Sequence, residues 1–227
     1  GGVPLWRDAV HRSQKSAEWS IHAAPAFSEV FQAMPGASHW NPVLSLDTEI
    51  RFHLTPKVHQ FVAGLLDGES ASGLSKLADE LHEGGHRFLL TRSLDLARDY
   101  LRERYADAKF ARYGLVASSK DKWLPSFGVD NSYFATRRVN ERIGAWYNAV
   151  PSDPQSCCHL ETVATEFSSQ GLELDCALLA WGSDLLWAND DWSIKHSGGN
   201  RPPLRDPMTV RKNVYRVLMT RGRDGTV

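Results

Sequence analysis

The sequence predicts an α/β fold built on a mostly parallel sheet flanked by helices. Three observations carry that expectation. Helical and strand-like patterns alternate between residues 72 and 119, the order that produces parallel α/β units. Two runs, "RYGLVASS" and "LELDCALLAWG", are apolar enough to be buried strands. The chain has 227 residues, 42% hydrophobic and 23% charged, which suits one large α/β domain over 1–227.

Each element has its own local reason. "PLWRDAVHRSQ" puts Leu5, Trp6, Ala9 and Val10 on one helical face. "EWSIHAAP" reads as a short strand stopped at Pro25, and "AFSEVFQAMPG" as a short helix ended by Pro35-Gly36. "VLSLDTEIRF", residues 43–52, alternates and carries β-branched residues, so it reads as a strand or extended segment. "TPKVHQFVAGLLDG" has Pro at a helix start and Gly at its end. "SGLSKLADELHEGG" is a helix closed by two glycines, and "HRFLLT" is a short apolar strand. "SLDLARDYLRERYAD" opens on Ser93 as N-cap, with Leu94, Ala97, Tyr100 and Leu101 on one face. Residues 120–156 are aromatic and irregular, with a helix in "TRRVNERIGAWYN", and read as an insertion over a sheet edge. "HLETVATEF" is strand-like, "SIKHSGGNRPPLRDP" is a Gly- and Pro-rich loop, and "MTVRKNVYRVLMTRGRDG" is a helix running to Gly222 or just beyond.

Bulk properties remove several function classes. A net charge of -1 gives no global field for nucleic acid, so such contacts need a local basic patch. No apolar run is long enough to span a membrane, and the first residues lack a signal-peptide core. Three cysteines, two of them adjacent, are not a disulfide framework and point to a reducing cytoplasm. Eight tryptophans is a high count, to be accounted for by burial or by contact surfaces.

Three stretches have the look of chemical motifs. "HEGGH", His82 to His86, matches the zinc-peptidase pattern letter for letter. That chemistry needs both histidines on one face of an unbroken helix, and each central glycine costs a helix about 1 kcal/mol relative to Ala. A helix C-terminus is the better reading, with the zinc peptidase kept as a rival. "GESASGLSK" has the glycine spacing of a phosphate-binding P-loop but Leu74 where Lys is required, so the chain carries no P-loop of its own. "CCH", Cys157 to His159, lacks a second pair at useful spacing, so no metal is expected there. No G-x-S-x-G elbow anchors a hydrolase triad.

Two C-terminal segments remain. "TEFSSQGLELD" holds Thr165, Gln170, Gly171, Glu173 and Asp175 at a loop-to-strand junction. "VRKNVYRVLMTRGRDG" is basic, with Arg211 and Arg221 ten residues apart and not bound to one face. Arg221 lies beside Gly222, where a projecting guanidinium suits a phosphate oxygen.

In this order the two segments resemble motifs V and VI of superfamily 1 helicases, T-x-H-x-x-K-G-L-E-F and Y-V-x-x-T-R-A. "EIRFHLTPKVHQFV" resembles motif IV, with Arg51 as its arginine, and "HRFLLTRSLDLARDYL", which contains Arg92, resembles the strand-helix unit after it. Phe167 and Gln170 stand where motif V has His and Lys, and Gly222 where motif VI has Ala. Most of the chain, including "RYGLVASS" and "WGSDLLW", is similar to the Schlafen-related, helicase-like family called domain of unknown function 2075.

The resemblance implies a RecA-like fold forming the second half of an ATPase. ATP and Mg²⁺ would be held with an N-terminal P-loop domain, and DNA or RNA would be the partner. Arg221 would be an arginine finger and Arg51 a second phosphate-facing arginine. Gln170, Gly171 and Glu173 would line the nucleotide, with Glu173 on the ribose. Thr165 and Arg92 would lie toward nucleic acid. Glu173 and Arg221 would share one face of the sheet at the carboxyl ends of its strands. The isolated chain would be inactive. The rival from another class is an interaction module using Trp123, Trp146 and Trp192 as contacts.

Overall fold

In a computed structural model, which describes residues 3–45, 55–194 and 206–227, the chain divides into two compact units. One comprises Gly1–Arg51 with Pro203–Asp206, and the other Phe52–Pro202 with Pro207–Val227.

The smaller unit contains helix α1 (Val3–Arg12), strand β1 (Ser20–Ala23), helix α2 (Ser28–Phe31) and strand β2 (Ala37–Trp40). The strands pair in parallel, Ser20 opposite Ala37 through Ala23 opposite Trp40, and His22 stacks on His39 at 4.7 Å. Val43 and Leu44, expected in a strand, instead lie in a 3₁₀ turn over Pro42–Leu44. The Asn41 side chain captures the Val43 N–H at 3.0 Å, and Pro42 favours turn geometry. The remainder of that expected strand, 46–52, lies outside the described residues, and so does the loop 195–205.

The larger unit carries helices α3 (Thr55–Asp67), α4 (Ala71–Glu83), strand β3 (Arg87–Phe88), α5 (Leu94–Arg104), β4 (Tyr113–Ala117), α6 (Tyr133–Glu141), α7 (Ile143–Asn148), β5 (Val163–Thr165), β6 (Leu174–Ala180), β7 (Leu186–Ala188), β8 (Asp191–Ser193), α8 (Pro207–Met219) and β9 (Gly222–Thr226). Five strands form one parallel sheet in the order β3-β9-β6-β4-β5. This is the expected α/β class, a parallel sheet flanked by helices and consistent with a RecA-like fold. All five residues of β4 are buried, as in a strand covered on both faces. Tyr113 stacks on Tyr105, just past α5, while its neighbour Gly114 faces Trp146 of α7. Successive residues of a strand point to opposite faces, so α5 and α7 cover opposite sides. A methyl group on Gly114 would sit 2.8 Å from the Trp146 ring, which is why only glycine fits.

Local chemistry sets the helix ends. Ser93 accepts the Leu96 N–H at 3.2 Å, capping α5 as expected. α4 stops at Glu83: His86 N–H bonds to Leu81 C=O at 2.9 Å and Gly85 N–H to His82 C=O at 3.0 Å, with Gly85 at φ 94°. That is a left-handed glycine closure, so the second histidine of "HEGGH" falls beyond the helix and the zinc-peptidase face does not form. His86 is buried, and its Nδ1 meets the Arg223 carbonyl at 3.0 Å.

Two further segments depart from expectation. The helix read as reaching Gly222 ends at Met219, and "GRDGT" is strand β9, between β3 and β6. Packing decides this against a polar sequence. A Cβ on Gly222 would lie 1.8 Å from the Gly225 carbonyl oxygen, and one on Gly225 would lie 2.4 Å from that of Arg87. The glycines therefore admit a strand where no side chain fits. The β7-β8 hairpin was also unforeseen. Its turn, Asn189-Asp190, holds both residues at positive φ (53° and 60°), the signature of a two-residue type I′ turn.

Candidate functional site

The stretch 165–173 runs from the carboxyl end of β5 to the amino end of β6, so its candidate residues divide between opposite ends of the sheet. It begins in a tight turn. The Ser168 hydroxyl accepts the Thr165 N–H at 2.7 Å, and the Ser169 N–H bonds to the Thr165 carbonyl at 2.9 Å. Thr165 is buried and occupied by that turn, whereas Phe167, where motif V has His, is exposed. Gly171 has φ 80°, a conformation that favours glycine, and a Cβ there would meet no atom within 4 Å. Gln170, Gly171 and Glu173 are all exposed.

Arg221 joins this loop to α8. Its Nε donates to the Val217 carbonyl at 2.9 Å, and its Nη1 to the carbonyls of Ser169 and Leu172 at 3.2 and 3.3 Å. The Leu174 N–H returns a bond to the Arg221 carbonyl at 2.9 Å. Arg221 is 8% exposed, so the guanidinium expected to project from the domain is instead turned onto the loop. There it adds charge-assisted hydrogen bonds to the carbonyls of the turn, one of which, Ser169, already accepts the Leu172 N–H at 3.1 Å. Glu173 immediately precedes β6, and Arg221 immediately precedes β9. Both therefore sit at amino ends of their strands, not the carboxyl ends expected for them.

Beside Glu173 a cavity of about 770 Å³ is lined by residues that include Tyr105, Arg112, Tyr147, Asp175, Arg223 and Asp224. The Tyr147 hydroxyl donates to the Glu173 carbonyl at 2.7 Å. Asp175 accepts the Arg112 N–H at 2.6 Å and pairs with Arg223. Arg51 lies outside the described residues. Arg92 is exposed in the link from β3 to α5, on the carboxyl side of β3. Of the three tryptophans considered as contacts, Trp146 and Trp192 are core and Trp123 is exposed.

The carboxyl end holds a cluster whose design is absent from the motif reading. β4 and β6 are neighbours with Ala117 opposite Ala180, and each strand is followed four residues later by an aspartate, Asp121 and Asp184. The two are cross-connected. Asp121 Oδ2 accepts from the Ser183 N–H and, at 3.0 Å, its hydroxyl, while Asp184 accepts from the Ser118 hydroxyl at 2.5 Å. Asp184 also receives Arg211 Nη1 and the Tyr215 hydroxyl from α8. Burial alone would raise the Asp121 carboxyl, but the N–H groups of Leu124, Trp123 and Ser183 outweigh it and hold it below its ordinary range. Burial, then the Asp184 charge, pushes the Tyr215 hydroxyl upward. Gly182 makes room for the knot, since a Cβ there would lie 2.3 Å from the Asp121 carboxyl. The signal in the sequence was the pair "ASSKD" and "AWGSD", two buried strands ending in small residues and then Asp.

α8 thus runs between two attachments. Arg211 near its start is fixed to the carboxyl-end knot, and Arg221 just past its end is fixed to the amino-end loop. A family profile described as "Schlafen group 3, DNA/RNA helicase domain" matches residues 9–227. The chain belongs to that family. No curated protein and no solved structure matches the chain. In this Schlafen group 3 domain no cluster of three or more His, Cys, Asp or Glu able to hold a metal occurs among the described residues, and no described helix is long and apolar enough to cross a membrane.

Proposed function

We propose that this Schlafen group 3 domain is the second RecA-like half of a nucleic-acid-dependent ATPase, contributing one wall to ATP bound on a P-loop domain. The observation that carries this reading is the grip of Arg221 on Ser169 and Leu172, which brings together two segments about 50 positions apart, those with the motif V and VI resemblance. The open backbone at Gly171 and the exposed Gln170 and Glu173 fit one edge of a nucleotide. The Mg²⁺ ligands would come from the P-loop domain and from the phosphates of ATP. ATP supplies the phosphoanhydride bond that is cleaved. This chain's residues would position it: Glu173 accepts from the ribose hydroxyl, and Gln170 and the Gly171 backbone shape the phosphate side. Arg221 leaves one of its loop carbonyls to stabilise charge on the transferred phosphoryl group. The three free cysteines fit a reducing cytoplasm.

The test uses the full-length protein carrying its P-loop domain. Arg221→Ala is expected to lower nucleic-acid-stimulated turnover by about 10³-fold or more, the scale of an arginine finger, with ATP affinity changed little. Arg221→Lys, which keeps charge but not the fork, is expected to fall nearly as far. If both variants instead lose ATP affinity and thermal stability together while turnover per bound ATP is retained, Arg221 is a structural clamp and the reading fails.

A further inference from the structure

The segment between β4 and β5 exposes four aromatic rings. Trp123 is 60% exposed, Phe127 72%, Tyr133 71% and Phe134 73%. Hydrogen bonds fix the backbone that carries them. Asp121 receives the N–H groups of Trp123 and Leu124, each at 2.8 Å, which fixes the start of the 3₁₀ turn Leu124–Phe127. The buried Asn131 amide donates to the carbonyls of Ser118 and Asp121, both at 2.8 Å, closing the loop onto itself. Ser132 then caps α6 through the Ala135 N–H at 3.5 Å. Trp123 and Tyr133 therefore each sit two residues from a hydrogen-bonded knot joining Asp121 to Asn131. Glu166 extends the knot to the motif V stretch, accepting the Ser119 N–H at 2.9 Å and hydroxyl at 2.7 Å, one residue before the exposed Phe167.

The charge beside these rings is basic in a chain whose net charge is -1. Tyr133 and Arg137, and Phe134 and Arg138, are separated by one helical turn on α6, whose buried residues are Thr136 and Val139. Each exposed ring thus has an arginine on the same side of the helix. Lys120 and Lys122 add two exposed cations, against exposed Asp130 and Glu141. Glu141 pairs with Arg137 at 2.7 Å, a surface ion pair that a phosphate can displace at little expense.

We infer that this rigid aromatic-basic surface is a stacking platform for single-stranded nucleic acid, with Tyr133, Phe134 and Trp123 taking base faces and Arg137 and Arg138 the intervening phosphates. The inference rests on the reading above that the domain acts on nucleic acid, and it names the surface and the strandedness. Exposed π faces beside cations suit unpaired bases, whereas a duplex presents its phosphates and keeps its base faces stacked. The Asp121–Asn131 knot fixes the backbone of the loop, so that little of it needs ordering on binding.

The test measures fluorescence anisotropy of a labelled oligothymidine or oligouridine of about 20 nucleotides against the full 227-residue chain, with a duplex of equal length as competitor. The single strand is expected to bind in preference to the duplex. Tyr133→Ala combined with Phe134→Ala is expected to weaken binding about tenfold or more at every salt concentration. Arg138→Glu is expected to flatten the decline in affinity between about 50 and about 200 mM salt. Binding is also expected to quench tryptophan emission in the wild type, and much less in Trp123→Phe, which a change in folding would not imitate. Equal affinity for duplex, no binding by the wild type, or variants that bind as the wild type does would each overturn the platform. Hydrolysis is not needed for this measurement. Turnover is read separately, in the full-length protein carrying its P-loop domain: intact turnover there with binding unmoved by the variants sinks the platform and spares the ATPase reading, and the converse result does the opposite.

Discussion

Arg223 with Asp175 at the amino end of the sheet and Arg211 with Asp184 at the carboxyl end are the same pair of residue types in different settings. The first pair is 49% and 15% exposed in its side chains, and the second 15% and 6%. The exposed pair borders a cavity and shares its charges with Asp224 and the Arg112 backbone. The buried pair is locked to Ser118 and Tyr215, inside a knot that spans two strands and a helix. Water can replace the partner that Arg223 loses, but not the one that Arg211 or Asp184 loses. The Arg223–Asp175 pair is thus free to rearrange around a ligand in its cavity, while the Arg211–Asp184 pair belongs to the frame that such a rearrangement works against.

The largest test of that contrast is Asp184→Ala. It leaves the Arg211 charge and the Tyr215 hydroxyl buried without their acceptor, and should lower stability by about 3–5 kcal/mol in urea melts. A loss below about 1 kcal/mol, the level of a surface pair, would erase the distinction between the two ends.

An intermediate effect is expected from pH. Burial holds the His86 imidazole below its usual pKa, outweighing the Arg223 carbonyl that favours the charged form. The unfolded chain then takes up a proton near pH 6.5 that the folded chain refuses. Stability contributed by neutral His86 is complete above that range and is lost as pH falls through it, by up to about 1.4 kcal/mol per pH unit. Denaturation midpoints from pH 7.5 to about 5.5 check this, and His86→Phe should flatten the slope. An unchanged slope would mean that another group carries the acid sensitivity.

Arg223→Ala should do least. It removes an exposed pair, and a loss of at most about 1 kcal/mol is expected, shrinking further as salt rises. A larger, salt-insensitive loss would move the amino end into the same class as the knot.

Much of the fold could be read from the sequence because its signals were local. Ser93 as a cap, Gly84-Gly85 as a helix stop and the apolar run of β4 each depend on neighbours a few residues away. β9 could not be read, because "GRDGT" becomes a strand through what lies on either side of it, with glycines admitting backbone where a side chain would collide. The site divides in the same way. The loop at Gly171 and the arginine after α8 were visible as motifs. The inward turn of Arg221 depends on the Ser169 and Leu172 carbonyls, and the exchange between Asp121 and Asp184 depends on the parallel register of β4 and β6. Pairings of that kind are tertiary and leave only the faint repeat of a serine-containing turn and an aspartate after two strands.

The position of β9 also governs the order in which the sheet can be assembled. β3 pairs only with β9 among the described residues, and His86 and Arg223 bond across 137 positions of chain. A ribosome delivers α4, β3 and α5 long before that partner exists. Until β9 emerges, β3 has a bare edge and His86 lacks its carbonyl, so β4, β5 and β6 can pair first and the β3 edge last. Such late, distant closure slows folding and leaves a nascent chain open to strand exchange with its neighbours.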